Sequence, residues 1–332
     1  MIEQTAEIVS RSVSKRLKAQ KITFEYQAKK FLEQGATRKR NPLRPASLRT
    51  YKSQIEKNLI PLIGKVPLEL VGNKAVKNVV AKLSEQGLSP RTIALNVMII
   101  KKIRKSAVND EGDPLYPATW NTEMIDAPEA EPMTQGSTIT QEGVQEAISR
   151  AETVDKALYA LLAGSGLRIA EALSIKLGPD DGVSSIWLPT ENKIIVRQQR
   201  GRSGLAPTKT KAGIREVDLS GELTTFLVET FGTWKPGERP LGQPGELLFP
   251  GLENAYRVRL EKNGVSSGFH SFRRFRITHL NRMSTPTGLE YFWTGHAAGD
   301  VHGKYIMFGN EIETRKLEAA RVGLGFKLPE VV

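Results

Sequence analysis

Apolar side chains recur every three or four positions through the first hundred residues, the spacing of helices with one buried face. Phe24, Ala28, Phe31 and Leu32 mark a helix over 22–34 that breaks at Gly35. Leu48, Tyr51, Ile55 and Leu59 mark a second, with Ser47 as its expected N-cap and Pro61 and Gly64 near its end. A third is expected to be capped by Asn73 and to run through Val76, Val79, Val80 and Leu83 to Gly87. The fourth opens with Ser89-Pro90, a cap followed by proline at the first helical position, and carries Ile93, Val97, Ile100 and Ile103. Residues 1–20 show the same spacing at Ile2, Ala6, Val9, Val13 and Leu17 and are read as a helical extension.

The second half begins with helices expected over 141–150 and 156–162, and another after Gly166 through Ala170 and Leu173 to Leu177. The period then shifts towards 2, predicting strands at 185–189, 193–198 and 215–219. Helices resume at 222–231, 254–262, 271–283 and 289–294. The expected fold is mainly α with a small antiparallel β-sheet, split between a helical domain (21–110) and a mixed α/β domain (138–308). Between them, residues 111–137 carry Pro114, Pro117, Pro128 and Pro132 with Asp126, Glu129 and Glu131, and read as a linker. The tail, 309–332, has an apolar stripe at Ile312, Leu317 and Ala320 and is expected to pack on a neighbouring protomer.

Charge sharpens this division. The chain carries +12 overall, yet residues 1–110 hold 23 Lys and Arg against 8 Asp and Glu, a net +15, while the rest is close to neutral. So lopsided a domain suits a polyanion, and an extended phosphate backbone is the expected partner. Arg38, Lys39, Arg40 and Arg44 lie in a basic loop, and Lys52, Arg91, Lys101, Lys102, Arg104 and Lys105 lie on the polar helix faces, so these are the candidate DNA contacts. The absence of cysteine excludes disulfides, cysteine-ligated zinc and a thiol nucleophile. No apolar run approaches the roughly 18 residues of a spanning helix. A cytoplasmic, nucleoid-associated protein is expected.

Four motifs carry candidate chemistry. Gly164-Ser-Gly-Leu-Arg168 lacks the third glycine of a dinucleotide fingerprint and the lysine of a phosphate loop. Its glycines instead end one helix and start another, placing Arg168 at a turn with Glu171 one turn on. An ordinary surface ion pair is the plainer reading of Arg168. Lys209, in Pro207-Thr-Lys-Thr, sits in a turn between strands, where a lysine is either solvated or a proton donor; Lys211 competes for that role. His270-Ser-Phe-Arg273 puts two donors on one helix face, although a histidine there is often only a cap. Gly295-His296 is followed after nine residues by Tyr305, which alone reads as a core aromatic. The histidines show no metal-ligand spacing.

Taken together and in this order, Arg168, Lys209, His270-x-x-Arg273, Gly295-His296 and Tyr305 resemble the tyrosine recombinase, or phage integrase, family. Thr23-Phe24, Ser47-Leu-Arg-Thr-Tyr51, Pro61-Leu-Ile-Gly64 and Gly87-Leu-Ser-Pro90 resemble its helical core-binding domain. The resemblance implies a two-domain clamp on double-stranded DNA and site-specific recombination through a 3′-phosphotyrosyl intermediate and a Holliday junction. No metal or nucleotide cofactor is implied. Tyr305 would be the nucleophile; Arg168, Arg273 and His296 would hold the phosphate. Lys209 would protonate the leaving oxygen, His270 would assist proton movement and Glu171 would orient Arg168. Monomers would assemble as a homotetramer on DNA. The same chemistry serves type IB topoisomerases, and a non-catalytic DNA-binding accessory protein is the alternative from another class.

Overall fold

The computed structural model describes residues 22–40, 42–129, 138–208, 211–232, 246–296 and 308–330. The expected helix at 1–20 lies outside them. The chain divides into two compact units, Met1–Thr134 and Gln135–Val332. Among the described residues no helix is long and apolar enough to cross a membrane.

The first unit is helical. Helices α1 (Phe24–Thr37), α2 (Pro45–Gln54), α3 (Ile60–Ile63), α4 (Asn73–Glu85) and α5 (Pro90–Lys105) enclose a core that includes Phe24, Ile55, Leu59, Val76, Leu83, Ile100 and Ile103. Burying each such side chain contributes about 1.5–3 kcal/mol. Two expected caps are displaced. Helix α2 starts at Pro45 with Arg44 before it, so Ser47 lies inside the first turn; the fixed φ of proline suits a first helical position. Asn73 is the first residue of α4 rather than its cap. Its side chain instead donates to the Thr119 carbonyl (3.1 Å) and accepts from the Asn121 amide (3.1 Å). Ser89 does cap α5, accepting from the Thr92 amide at 3.3 Å.

Those Asn73 bonds belong to a larger difference. The proline-punctuated segment read as a linker is packed on the first unit as far as Ala127, through Tyr116, Trp120 and the buried Ile125 of the short helix α6 (Thr122–Ile125). Proline breaks helices, but it does not stop apolar side chains between prolines from docking.

In the second unit α7 (Gln141–Arg150) and α8 (Thr153–Ser165) come first. Every residue of α8 from Ala157 to Ser165 is buried, as an almost wholly apolar helix requires. Gly166 ends it in the left-handed region, φ +71°. The helix expected to run to Leu177 stops after one turn, α9 (Ile169–Ala172), and Ile175–Leu177 becomes strand β1. β1 pairs parallel with β2 (Ser185–Leu188), which pairs antiparallel with β3 (Lys193–Val196), itself antiparallel to β6 (Arg215–Asp218). The small sheet is therefore mixed. A hairpin of β4 (Gln198–Gly201) and β5 (Gly204–Pro207) stands apart from it.

Helices α10 (Gly221–Gly232), α11 (Glu253–Lys262), α12 (His270–Arg282), α13 (Thr287–Thr294) and α14 (Ile312–Val322) complete the unit. The tail helix α14 packs on its own unit. Arg315, Ala319 and Val322 are buried beside Leu280, Leu289, Trp293 and Phe308, whereas Ile312 and Leu317, from the expected stripe, are exposed.

Candidate active site

Arg168 occupies the N-cap position of α9, brought there by the turn at Gly166. Its amide donates to Glu171 Oε2 (3.0 Å) and its guanidinium to Glu171 Oε1 (2.9 Å). Glu171 is buried at 3% exposure, while the Arg168 side chain keeps 42% of its surface open. One carboxylate thus anchors an arginine whose side chain stays partly open to solvent.

Glu171 has a second partner that the sequence motifs do not single out. Arg215, the first residue of β6, donates to Glu171 Oε2 at 2.9 Å and to Oε1 at 3.3 Å, and its Nε donates to the Trp293 carbonyl at 2.7 Å. Burial alone would raise the Glu171 carboxyl, but Arg215 and then Arg168 outweigh it and hold it below the usual range. A signal is present in the strand pattern: Arg215 shares side-chain parity with Val217 and Leu219. An arginine on the inward face of a strand needs a buried acceptor.

Arg273 enters from the first turn of α12 and is 1% exposed. It donates to the Gly166 carbonyl (2.7 Å) and the Thr294 carbonyl (2.6 Å), and pairs with His296 Nε2 at 3.0 Å. Burial, then repulsion from Arg168, lowers this guanidinium to about 10. A guanidinium has no acceptor, so His296 Nε2 must be the accepting nitrogen in this bond. The ring proton then lies on Nδ1, which faces Thr294 Oγ1 at 3.3 Å. Burial and the surrounding Arg273, Arg168 and Arg215 push His296 below its usual value.

Gly295 makes the approach of His296 possible. Its φ is +65°, and a Cβ there would lie 2.8 Å from Arg215 Nη1. Any other residue would be strained by backbone and contact together. His270, the exposed first residue of α12, is lowered by partial burial and then by Arg273, Arg274 and Arg168, which puts it in the same electrostatic neighbourhood.

Arg168, Glu171, Arg273, His296 and His270 are therefore brought together from separate stretches of chain. Lys209 and Tyr305 lie outside the described residues, as does the Lys211 side chain. Two guanidiniums and two neutral imidazoles form a donor-rich site suited to an anion whose charge grows during reaction. Among the described residues no group of three or more His, Asp or Glu side chains is placed to hold a metal ion.

On the first unit, Arg38, Lys39, Arg40, Arg44, Lys52, Arg91, Lys102 and Lys105 are exposed. Lys101 is half-buried over the Trp120 ring, 5.5 Å from its centroid, and Lys102 donates to Tyr51 Oη at 3.0 Å. Arg104 departs from expectation. It is 8% exposed and its guanidinium donates to the carbonyls of Tyr116 (3.0 Å), Val71 and Pro117 (3.3 Å). It is a tie for the packed segment, not a phosphate contact.

No family model and no curated protein sequence matches the chain. Solved structures do. The Tn1549 transposon integrase in complex with a circular intermediate DNA is 16% identical over 90% of this chain and 94% of that one, with a TM-score of 0.65. A lambda integrase dimer bound to a COC′ core site is 13% identical, over 83% and 96% of the two chains, with a TM-score of 0.56. A lambda integrase tetramer bound to a Holliday junction is 14% identical, over 88% and 79%, with a TM-score of 0.54. The chain shares the fold of these solved integrase structures.

Proposed function

We propose that this protein is a site-specific DNA recombinase that cuts and rejoins strands through a phosphotyrosyl intermediate at Tyr305. The observation that carries this reading is the convergence of Arg168, Arg273 and His296, each held by buried partners, at the point from which the chain leads in nine residues to a tyrosine.

The Tyr305 oxygen attacks the scissile phosphorus, the P–O5′ bond breaks, and a 3′-phosphotyrosine and a free 5′-hydroxyl result. The phenol has a reference pKa of about 10, so its proton needs an acceptor. His270, held below its usual value first by burial, is suited to take it, whereas His296 Nε2 already accepts from Arg273. Lys209 supplies the proton to the leaving 5′ oxygen. Arg168, with its open guanidinium, meets the non-bridging oxygens first. Arg273 forms the floor of the site, fixing His296 and the Gly166 turn while its other N–H groups stabilise the charge that develops. Attack by a 5′-hydroxyl from another strand reverses the chemistry and conserves the bond. The exposed cations of the first unit hold the duplex, and a homotetramer on DNA exchanges the strands.

The reading can be tested without a defined target site. Nicked duplexes of randomised sequence, in which cleavage releases a short strand, trap any covalent intermediate; protein-linked DNA is recovered under denaturing conditions and sequenced. The wild-type chain is expected to retain DNA of a shared sequence, and Tyr305→Phe none. No adduct with the wild type overturns the proposal. An adduct without sequence preference, with relaxation of supercoils, points to topoisomerase action instead.

A further inference from the structure

The segment between His296 and Phe308 carries Tyr305, and its two ends are fastened by one carboxylate. Asp218, the last residue of β6 and 4% exposed, accepts from Trp293 Nε1 (2.7 Å) and from Arg315 Nε (2.9 Å) through the same oxygen, Oδ2. Trp293 lies three residues before His296. Its carbonyl is the acceptor of Arg215 Nε, which ties it on through Glu171 to Arg168. Arg315, 0% exposed on α14, donates from Nη1 to the carbonyls of Phe308 and Gly309, both at 2.9 Å. Its guanidinium is also bound by Glu216 and lies 5.0 Å from the centroid of Phe292.

We propose that Asp218, with Trp293 and Arg315, is a positioning clasp for the reaction. It sets the distance between the two ends of the tyrosine-bearing segment and refers both to the arginine that meets the phosphate. The inference rests on the phosphotyrosyl reading above. Three residues of extended chain span at most about 11 Å, so the position of Phe308 limits where the Tyr305 oxygen can go. Ionic bonds buried away from water hold such a reference point firmly, because releasing either partner would leave an uncompensated buried charge. Nothing in an all-apolar packing of α14 would require an acid at the end of β6, yet Asp218 is where strand, tryptophan and tail helix meet.

The clasp predicts a pattern that a merely structural residue would not give. In the full chain, amide hydrogen exchange is followed at Gly295 and His296, which donate to the Tyr291 carbonyl, and at Glu311, which donates to the Phe308 carbonyl. Trp293→Phe keeps an aromatic ring in the core but removes the indole donor and part of the ring volume, and is expected to speed exchange at the first end alone. Arg315→Lys keeps the charge, loses the fork, and is expected to speed it at the second end alone. Asp218→Ala is expected to loosen both ends together; if it does not fold, the isosteric Asp218→Asn decides, since it keeps one acceptor oxygen but loses the charge, and is expected to loosen the ionic Arg315 end more than the indole end.

Single-turnover cleavage at saturating DNA is expected to fall about 10- to 100-fold in each folded variant, the cost of a nucleophile misplaced by about an ångström, with DNA affinity unchanged. Unchanged exchange at either end in Asp218→Ala, unchanged exchange at Glu311 in Asp218→Asn, or a loss of rate matched by a loss of affinity overturns the clasp. If the wild type forms no adduct, the phosphotyrosyl reading fails, and the exchange pattern still decides whether Asp218 joins the two ends.

Discussion

Arg168 and Arg215 share Glu171, but one is open to solvent and the other is buried, and this separates what each contributes. Arg168 has 42% of its side chain open, so its ion pair contributes little to stability, about 0–1 kcal/mol. Arg168→Ala is expected to leave the melting temperature nearly unchanged. Cleavage should fall about 100-fold or more, the usual cost of losing one donor to a developing oxyanion, measured as single-turnover adduct formation. Arg215→Ala leaves the buried Glu171 with only the half-open Arg168 as its cation and is expected to cost up to about 3–5 kcal/mol of folding stability, read by denaturant unfolding. The histidines give a pH dependence with a definite sign. His296, His270 and His279 are all held below their usual value, in each case first by burial. The unfolded chain therefore takes up protons before the folded one does. Stability from the neutral rings is complete above about pH 6.5 and is lost as pH falls through the lowered folded values. Cleavage should decline over the same window as His270 is lost as a proton acceptor, and His270→Gln should flatten part of both profiles.

At the scale of elements, α14 is the clearest case of a helix whose two faces answer different questions. Its inner face is fixed at both ends. Arg315 holds Phe308 and Gly309, while His279 Nε2 meets the Val322 carbonyl at 2.9 Å and Arg276 donates to the Gly323 carbonyl at 2.6 Å. Removing residues 309–332 strips Ala319, Val322, Leu324 and Phe326 from the core. At about 1.5–3 kcal/mol for each of the larger side chains, the truncated chain is expected to lose most of its stability and to melt well below the full one in a thermal scan. Reading the tail from its apolar residues alone selects Ile312 and Leu317, which are exposed at 42% and 72%. Beside Ala319 and Val322 the helix is docked by a buried arginine, and apolar periodicity does not find a contact made by a buried ion pair. The same limit explains Arg215 and Asp218, both on β6. Helices α4, α5, α7 and α10 are legible in the sequence because each turns one apolar stripe to the core of its own unit. The early end of α9 is not, since Ala170, Leu173 and Leu177 keep a helical spacing although the chain turns into β1 after Ala172.

For the whole molecule, the uneven charge is the feature that sequence conveys best and individual positions least. A net +15 over residues 1–110 predicts DNA binding that weakens steeply with salt. Lys102→Ala and Lys105→Ala, both exposed, should each lower the slope of log affinity against log salt by about one, across all sequences. Arg104→Ala should act on stability instead, because its donors end on backbone carbonyls and hold the 116–117 segment. Charge counts do not tell a phosphate contact from a buried tie; partners do. The order Arg168, His270, Arg273, His296 and Tyr305 is readable because the proposed chemistry asks for those residue types. Their supports, Arg215, Asp218, Trp293 and Arg315, are identified by the partners they meet in three dimensions.

Everything proposed for the site depends on Tyr305 becoming the covalent link to DNA. The most direct measurement is to digest the denatured adduct from a nicked duplex and identify the modified peptide by mass spectrometry. A single modified peptide containing Tyr305 is expected, with the nucleotide attached through a 3′-phosphate. A link on any other residue, or through a 5′-phosphate, would contradict the proposed chemistry.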